Sequence, residues 1–551
     1  MTQTPRNLNI RAELLPKLVT TLREGYGRAD LRADAMAGLT VAIVALPLSM
    51  AIAIASGVGP ERGLYTAIVG GALVSAFGGS RYQIGGPAGA FIVLVSACVM
   101  QLGIPGLITA TFLSGFVLIL AGLLRLGSYI RYIPYPVTLA FTAGIGVIIL
   151  ASQMKDLFGL SLAGAEPAEL VEKVHALWAA RESVSWPAFG VAMLVVGVIL
   201  GLRRWRPHWP GMLVAVVLAS VLVAALSLPV ETIATRFGRL PNLLPAPALP
   251  GLDAGLIRAA LPYALSFALL GAIESLLSAV VADGMSGGRH RSNAELVGQG
   301  VANIGSALFG GFCVTGTIAR TATNVRAGSR GPVSGILHAL FLLVFLAVAA
   351  PLAGYVPLAA LAGVLVVVAW GMIERAEILA LVRGSRADAA IIVTTFALVA
   401  FRDLTEGIVV GFAMAGLVFI KRMSDSTALE HGAPPPSARA PETQSDGRLV
   451  YRLHGPLFFG AAAQVGSVLD RIAERPEEMV FDFTDVPLID SSGAHSFELL
   501  ARKVAGRGGR VQIVGARPEV RRILFRQGLR PPLVGYHARL PSPAPGAGET
   551  A

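Results

Sequence analysis

From Met36 to Ile420 the chain repeats one feature, an apolar run long enough to cross a bilayer followed by a short polar break. A hydrocarbon core takes roughly 20 apolar residues to cross as helix. Backbone at that depth must satisfy its own hydrogen bonds, so these runs read as helices. Counting two shorter pieces that also look helical, Pro87 to Met100 and Thr317 to Ala327, the segments in chain order are Met36 to Ser56, Gly63 to Phe77, Pro87 to Met100, Ile108 to Leu124, Pro136 to Met154, Pro187 to Leu202, Met212 to Leu228, Leu261 to Val281, Ala294 to Phe309, Thr317 to Ala327, Val333 to Ala353, Pro357 to Trp370, Ala387 to Phe401 and Gly407 to Ile420, 14 in all. Only 14% of the 551 residues are charged, against about 25% in a soluble domain. A mainly soluble protein is thereby excluded.

The net charge is +11, yet the arginines are dotted between apolar runs and not gathered on one hydrophilic face. That distribution argues against a nucleic-acid partner and for membrane topology, because cytoplasmic loops carry the Lys/Arg excess. With the N-terminus inside, the even-numbered loops should be basic. They hold Arg81; Arg125 and Arg131; Arg203, Arg204 and Arg206; Arg289 and Arg291; Arg326 and Arg330; Arg375, Arg383 and Arg386. Lys421 and Arg422 follow the last segment, while the long odd loops, Lys155 to Ser185 and Glu231 to Leu256, mix their bases with acids. Both termini are therefore expected to be cytoplasmic. The amphipathic stretch Leu14 to Arg32 is too long and polar to begin a cleavable signal peptide, and Cys98 and Cys313 form no disulfide or zinc pattern.

Two segments are too short to span. Each is introduced by glycine-rich chain: Ile84-Gly85-Gly86-Pro87-Ala88-Gly89-Ala90 before the third, and Gly310-Gly311-Phe312-Cys313-Val314-Thr315-Gly316-Thr317 before the tenth. Irregular backbone at membrane depth persists only where it is buried in protein or lines a wet cavity. Interrupted segments at matching places in two halves point to a repeat with the binding site between them. An odd number of segments per half, seven, makes the halves inverted, and each sends a short helix toward the midplane N-terminus first.

Two facing helix N-termini attract anions through unpaired N–H groups and about half a positive charge each. Arg320, one turn inside the tenth segment, is the one arginine in the expected hydrocarbon zone. Such a charge is costly, so its default reading is functional; the other reading is an ion pair or a cap for backbone carbonyls. Thr315, Thr317, Thr321, Thr323 and Asn324 supply neutral hydrogen bonds around it. Glu274, with Ser275 beside it and Ser278 one turn on, is the main acid inside a segment. A lone buried carboxylate tends to bind a proton; pairing with Arg320, or cation binding with Ser278, are the alternatives. Asp283, near the end of that helix, reads as solvated.

After Arg422 the composition turns rich in Pro, Ala, Glu and Ser, a linker. Strands at Leu449 to Gly455, Met479 to Phe483 and Arg510 to Val514 alternate with helices at Ala461 to Ala473, His495 to Ala505 and Pro518 to Gln527. That is a small α/β unit. The division is residues 1–33, an N-terminal cytoplasmic segment; 34–423, the transmembrane domain; 424–446, the linker; 447–538, the α/β domain; and 539–551, a disordered tail.

The stretch from Asp34 to Ala42 (DAMAGLTVA), Leu46-Pro47-Leu48-Ser49-Met50-Ala51 and Gly63-Leu64-Tyr65-Thr66 resembles the opening of the sulfate permease (SulP) family, also called solute carrier 26. Gly79-Ser80-Arg81, Gly86-Pro87, the surroundings of Glu274 and Ile318-Ala319-Arg320-Thr321-Ala322 continue the resemblance. Through Asp482-Phe483 and Asp490-Ser491-Ser492-Gly493 the tail resembles a STAS domain. The resemblance implies a polytopic α-helical membrane protein of seven plus seven inverted segments, split into a core and a gate, with homodimers and anion transport by movement of core against gate. It places the anion at backbone around Ala88 and Gly89 and around Ile318 and Ala319, with Arg320 nearby, and coupling at Glu274 with Ser278 as partner. Many sulfate-type members have Gln where this chain has Leu48, which makes sulfate less secure than a bicarbonate-like or dicarboxylate substrate. In antagonist proteins that share the STAS fold a serine of the Asp-Ser-Ser-Gly turn is phosphorylated, and Ser491 and Ser492 preserve that chemistry. The alternative for this turn is packing alone.

The expected function is proton-coupled symport of a small inorganic or carboxylate anion across the cell membrane. Sodium-coupled bicarbonate symport and an uncoupled exchanger or channel are the alternatives. A carrier of uracil-like neutral bases would share the architecture but should prefer acids over Arg320 at the helix ends. A signalling protein with the tail as its output, bound to a cytoplasmic partner, is the third class. No P-loop and no His/Cys metal set occurs, so neither an enzyme nor a cofactor is expected.

Overall fold

The computed structural model describes residues 13–130, 134–164, 166–167, 169–206, 209–402, 404–428, 448–455, 457, 478–506 and 508–538. Its membrane helices follow the apolar runs. The first is Arg28–Ala55. The second is built from Pro60–Tyr65, a π-helical turn Thr66–Gly70 and Gly71–Phe77. Gly103, with φ 66°, breaks Gly89–Leu123 into the third and fourth. Then come Tyr135–Phe158, Trp186–Trp205, Gly211–Ala225, Ala254–Ser286, Ser292–Leu308, Ile318–Arg326, Val333–Ala353, Leu358–Met372, Arg386–Phe401 and Leu404–Ala428. Among the described residues, 7 helices are long and apolar enough to cross a membrane. The five tryptophans, Trp178, Trp186, Trp205, Trp209 and Trp370, are all more than half exposed and sit in loops or near helix ends. That is where an amphipathic ring meets the membrane interface.

Packing sorts the helices into the two expected groups. The first four pack with the eighth to the eleventh, while the fifth, sixth, seventh, twelfth and thirteenth pack with one another. Without a hydrophobic force between helices in lipid, small residues allow the closest approaches. A Cβ on Gly115 would lie 2.6 Å from the Gly300 carbonyl oxygen, and one on Gly300 would lie 2.5 Å from that of Gly115. The fourth and ninth helices therefore meet backbone to backbone.

The N-terminal arm identifies one face of the bundle. Lys17 N donates to Gly78 O (3.0 Å) and Arg291 Nη1 to Leu15 O (2.7 Å). Arg125 pairs with Glu13 at 3.8 Å. Fully buried Asp34 accepts from Tyr26 Oη (2.7 Å), Arg330 N (2.5 Å) and Gly331 N (3.1 Å). The second, fourth, eighth and tenth loops thus share the N-terminal face, as the arginine pattern requires. On the opposite face Ile233–Phe237, a helix in the seventh loop, is held by Val356 O (3.0 Å) from the eleventh and by an Arg236–Asp156 pair (2.9 Å) to the end of the fifth segment. This helix, Leu170–Ala179 and Arg375–Gly384 are additions to the expected elements. Each is short or amphipathic and gives no spanning signal.

Two short strands lie in the membrane unit, β1 (Gly85–Gly86) and β2 (Thr315–Gly316). The tail unit has four parallel strands in the order β3 (Arg448–His454), β4 (Glu478–Asp485), β5 (Arg510–Val514) and β6 (Val534–His537). Phe481, Phe483 and Phe497 form its core with Met479, Val511 and Ile513. Helix Ser491–Ala505 begins four residues earlier than its apolar pattern suggests, because Asp490 caps it, accepting from Gly493 N at 2.6 Å. β6 is a further addition. The last membrane helix continues to Ala428, into the stretch read as linker. The expected helix Ala461 to Ala473, the rest of the linker and the chain beyond residue 538 lie outside the described residues.

Candidate substrate site

Two glycine-rich strands cross inside the membrane unit. β1 pairs antiparallel with β2, Gly85 opposite Gly316 and Gly86 opposite Thr315. Each leads through an extended residue into a helix: Ala88 (φ −114°, ψ 145°) before Gly89, and Thr317 (φ −103°, ψ 125°) before Ile318. Antiparallel strands send the two helices away in opposite directions, so their N-termini stand side by side at the crossing. No side chain caps either one. A helix start leaves N–H groups without intrahelical partners, and these remain open to a ligand. Ala88 and Gly89 stand on one side and Ile318 and Ala319 on the other, with Ala319 exposed and Ile318 half-buried although both lie within the chain's apolar region.

Arg320 is only 1% exposed. Its Nη2 donates to Ser49 Oγ and to Pro87 O, both at 3.2 Å. The arginine thus ties the tenth segment to the first helix and to the turn before the third. Its Nε and Nη1 are buried with no hydrogen-bond partner among the described residues, and no carboxylate there pairs with it. A Cβ on Gly86 would fall 1.9 Å from Nη1. We therefore expect Gly86→Ala to push the guanidinium off its place, at about 1–3 kcal/mol of overpacking. The measurement is the melting temperature of the purified protein: a clear fall is expected, and a wild-type value would contradict it.

The threonines and Asn324 build the frame. Thr315 Oγ1 donates to Gly271 O (3.0 Å), which locks β2 to the eighth segment one turn before Glu274. Thr321 Oγ1 accepts from Ser278 Oγ (3.0 Å) and from Ile84 N (3.1 Å). Asn324 Nδ2 donates to Tyr82 O (2.8 Å) and Ser334 Oγ (2.9 Å). Glu274 is half-buried, and its Oε2 is buried without a hydrogen-bond partner among the described residues. Ser278, 0% exposed, gives its proton to Thr321.

Three contributors escape a reading of the sequence. Ser49 and the Pro87 carbonyl hold Arg320. Glu295, 0% exposed, accepts from Gly79 N (2.8 Å), Ser80 N (3.1 Å), Ser275 Oγ (3.0 Å) and Gln299 Nε2 (2.9 Å). Through Gln83 Nε2, which donates to Ser275 Oγ at 2.8 Å, it steadies the chain entering β1. Glu295, Gln299 and Asn303 stand four apart on the ninth segment, and that polar stripe is the signal that could have found them. Asp283, expected to be solvated, accepts instead from the backbone N of His290 (2.9 Å) and contacts its ring at 2.7 Å. Leu48 is buried in the apolar core. Ser491 and Ser492 lie in the tail unit, exposed in the first turn of their helix.

Half-helices that meet N-terminus first at a strand crossing, within a two-group helical bundle, define a membrane transporter of the inverted-repeat class. The chain belongs to the sulfate permease family. That family matches residues 31–395, and the STAS domain matches residues 439–534. YvdB of Bacillus subtilis (strain 168), whose name carries a provisional assignment as a sulfate transporter, is 38% identical over 92% of this chain and 95% of its own. The bicarbonate transporter BicA of Synechocystis sp. is 32% identical over 90% of each chain. The structure of the murine solute carrier 26 member A9 anion transporter in its inward-facing state superposes with a TM-score of 0.82 over 96% of this chain and 92% of that one, at 16% identity, a likeness of fold.

Proposed function

We propose that this protein is a secondary transporter of small oxyanions, of the sulfate, bicarbonate or dicarboxylate class, and that it couples uptake to protons. The observation that carries this reading is the β1–β2 crossing, which sets two uncapped helix starts beside the buried Arg320. Together they offer an anion N–H groups, helix dipoles and a guanidinium at one place. Neutral solutes gain little from such a site. Core helices bind the anion and move against the gate group, with both termini in the cytoplasm of a cell-membrane homodimer. Glu274 carries the proton, with Ser278 one turn away, and Leu48 favours bicarbonate or a dicarboxylate over sulfate. Exposed Ser491 and Ser492 would take a phosphate of about −1.5 to −2 charge beside Asp490, a means of regulating the tail or its cytoplasmic partner.

The test is uptake of labelled sulfate and bicarbonate into proteoliposomes, with fumarate and oxalate as competitors, under pH or sodium gradients. Acid outside should accelerate uptake and sodium should not. Stimulation by sodium alone would assign sodium coupling; insensitivity to both gradients would assign an exchanger or channel. Uptake of uracil in place of any anion would overturn the proposal.

A further inference from the structure

A second buried group shares the back of this site. His338, on the eleventh segment, is 0% exposed, and both of its ring nitrogens are buried without a hydrogen-bond partner among the described residues. A neutral imidazole carries one donor and one acceptor, and leaving buried polar groups without partners is destabilising. The guanidinium of Arg320 has the same problem at Nε and Nη1. Both face one run of glycine backbone. Nη1 lies where a Cβ of Gly86 would be, at 1.9 Å, and His338 Nδ1 lies 3.9 Å from the Cβ position of Gly71, itself 2.9 Å from Gly85 O. The π-helical turn Thr66–Gly70 runs directly into Gly71 and stands beside both β1 and the eleventh segment. Two of these unpartnered atoms, Arg320 Nη1 and His338 Nδ1, thus lie against the consecutive glycines of β1 and the Gly71 that packs on them.

We propose that Arg320 and His338 are joined through ordered water held against Gly71, Gly85 and Gly86, and that His338 is a positioning residue for the guanidinium. A buried water makes about three hydrogen bonds, and this place offers Arg320 Nη1, a His338 nitrogen and the Gly85 carbonyl. Ser49 and Pro87 fix one edge of the guanidinium, and the water bridge fixes the other. The planar group is then held rigid at the helix start, where its pose decides how well it meets a small anion. The role rests on the anion-transport reading, but its stability arm does not.

His338→Gln keeps a donor and an acceptor; His338→Leu keeps bulk alone. In proteoliposomes, with labelled bicarbonate as probe and sulfate where bicarbonate is not taken up, His338→Leu should raise KM roughly tenfold, the effect of about one hydrogen bond to a charged group. Vmax should change little, and His338→Gln should retain most of the affinity. A His338 that only fills space predicts the reverse order, with His338→Leu near wild type and His338→Gln impaired. The second arm is the melting temperature of purified wild type, His338→Leu, Arg320→Lys and the double variant. Shifts well short of additive are expected if water couples the two side chains; additive shifts overturn the coupling even if no anion is transported. Absence of wild-type uptake together with non-additive shifts would sink the transport reading and leave the pairing standing.

Discussion

Arg320→Gln abolishes saturable anion uptake, by at least about 100-fold in apparent affinity, while the protein stays folded. The magnitude follows from truncating one partner of a buried, hydrogen-bonded charge pair, which costs about 2–5 kcal/mol. In the proposed site the partner charge is the transported anion; no carboxylate pairs with the guanidinium among the described residues. Stability should move the other way. A 1% exposed guanidinium with no carboxylate beside it among the described residues is a desolvated charge, and removing it relieves that penalty. Its two hydrogen bonds, to Ser49 Oγ and Pro87 O, are both long at 3.2 Å, so their absence costs little by comparison. The melting temperature without anion should therefore hold or rise, and the stabilisation that bicarbonate or sulfate gives the wild type should vanish. Arg320→Lys should fall between, since lysine keeps the charge but lacks the planar fork that reaches two acceptors at once. Wild-type uptake by Arg320→Gln would remove the arginine from the site.

The sequence made the site's frame visible and hid its supports, for a physical reason. Two glycine-rich breaks at matching positions cannot be continuous membrane helices, so the crossing of Gly85–Gly86 with Thr315–Gly316 was legible as a pair of half-helices. Arg320 stood out because charge inside apolar sequence is rare. The hydrogen bonds that hold the frame join residues far apart in sequence: Ser49 to Arg320, Ile84 N to Thr321, Gly79 N to Glu295. No local pattern encodes those pairings. Small hydroxyls such as Ser49 are common in membrane helices and normally bond their own backbone, as Ser49 also does to Ala45 O at 2.7 Å. His338 was hidden for a different reason. A single histidine in the apolar run Val333–Ala353 does not disturb its spanning signal, and only the packing beside Gly71 brings it to the glycine strand that Arg320 abuts. In the tail, the expected start of helix Ser491–Ala505 falls late because apolar periodicity begins after the capped turn, whereas Asp490 fixes the true start.

Glu274→Gln uncouples the transporter without closing it. Glutamine matches the carboxyl in shape and cannot titrate, and Oε2 has no hydrogen-bond partner among the described residues whose removal would unsettle the eighth segment. The neighbouring supports belong to other residues: Ser275 to Gln83 and Glu295, Ser278 to Thr321, and Thr315 to Gly271. The groups proposed to bind the anion, at the two helix starts and Arg320, remain. One coupled proton can raise accumulation about tenfold per pH unit, since about 1.36 kcal/mol is a factor of ten. Glu274→Gln should lose that gain entirely while anion exchange at equal pH on both sides continues at more than roughly a third of the wild-type rate, a change of under about 0.7 kcal/mol in barrier. Counterflow of labelled bicarbonate or sulfate at symmetric pH measures the second quantity, and accumulation under an imposed gradient measures the first. Persistent pH-driven accumulation would place the proton elsewhere; the fully buried carboxylates in the same helix group are Asp34, held by three donors at the N-terminal face, and Glu295. Glu295 is already engaged by four donors. Protonating it would remove acceptor capacity from two backbone amides that fix the turn before β1, so transport through Glu295 would have to disturb the anion site in every cycle. Glu274, whose Oε2 has no hydrogen-bond partner among the described residues, can gain and lose a proton without that cost.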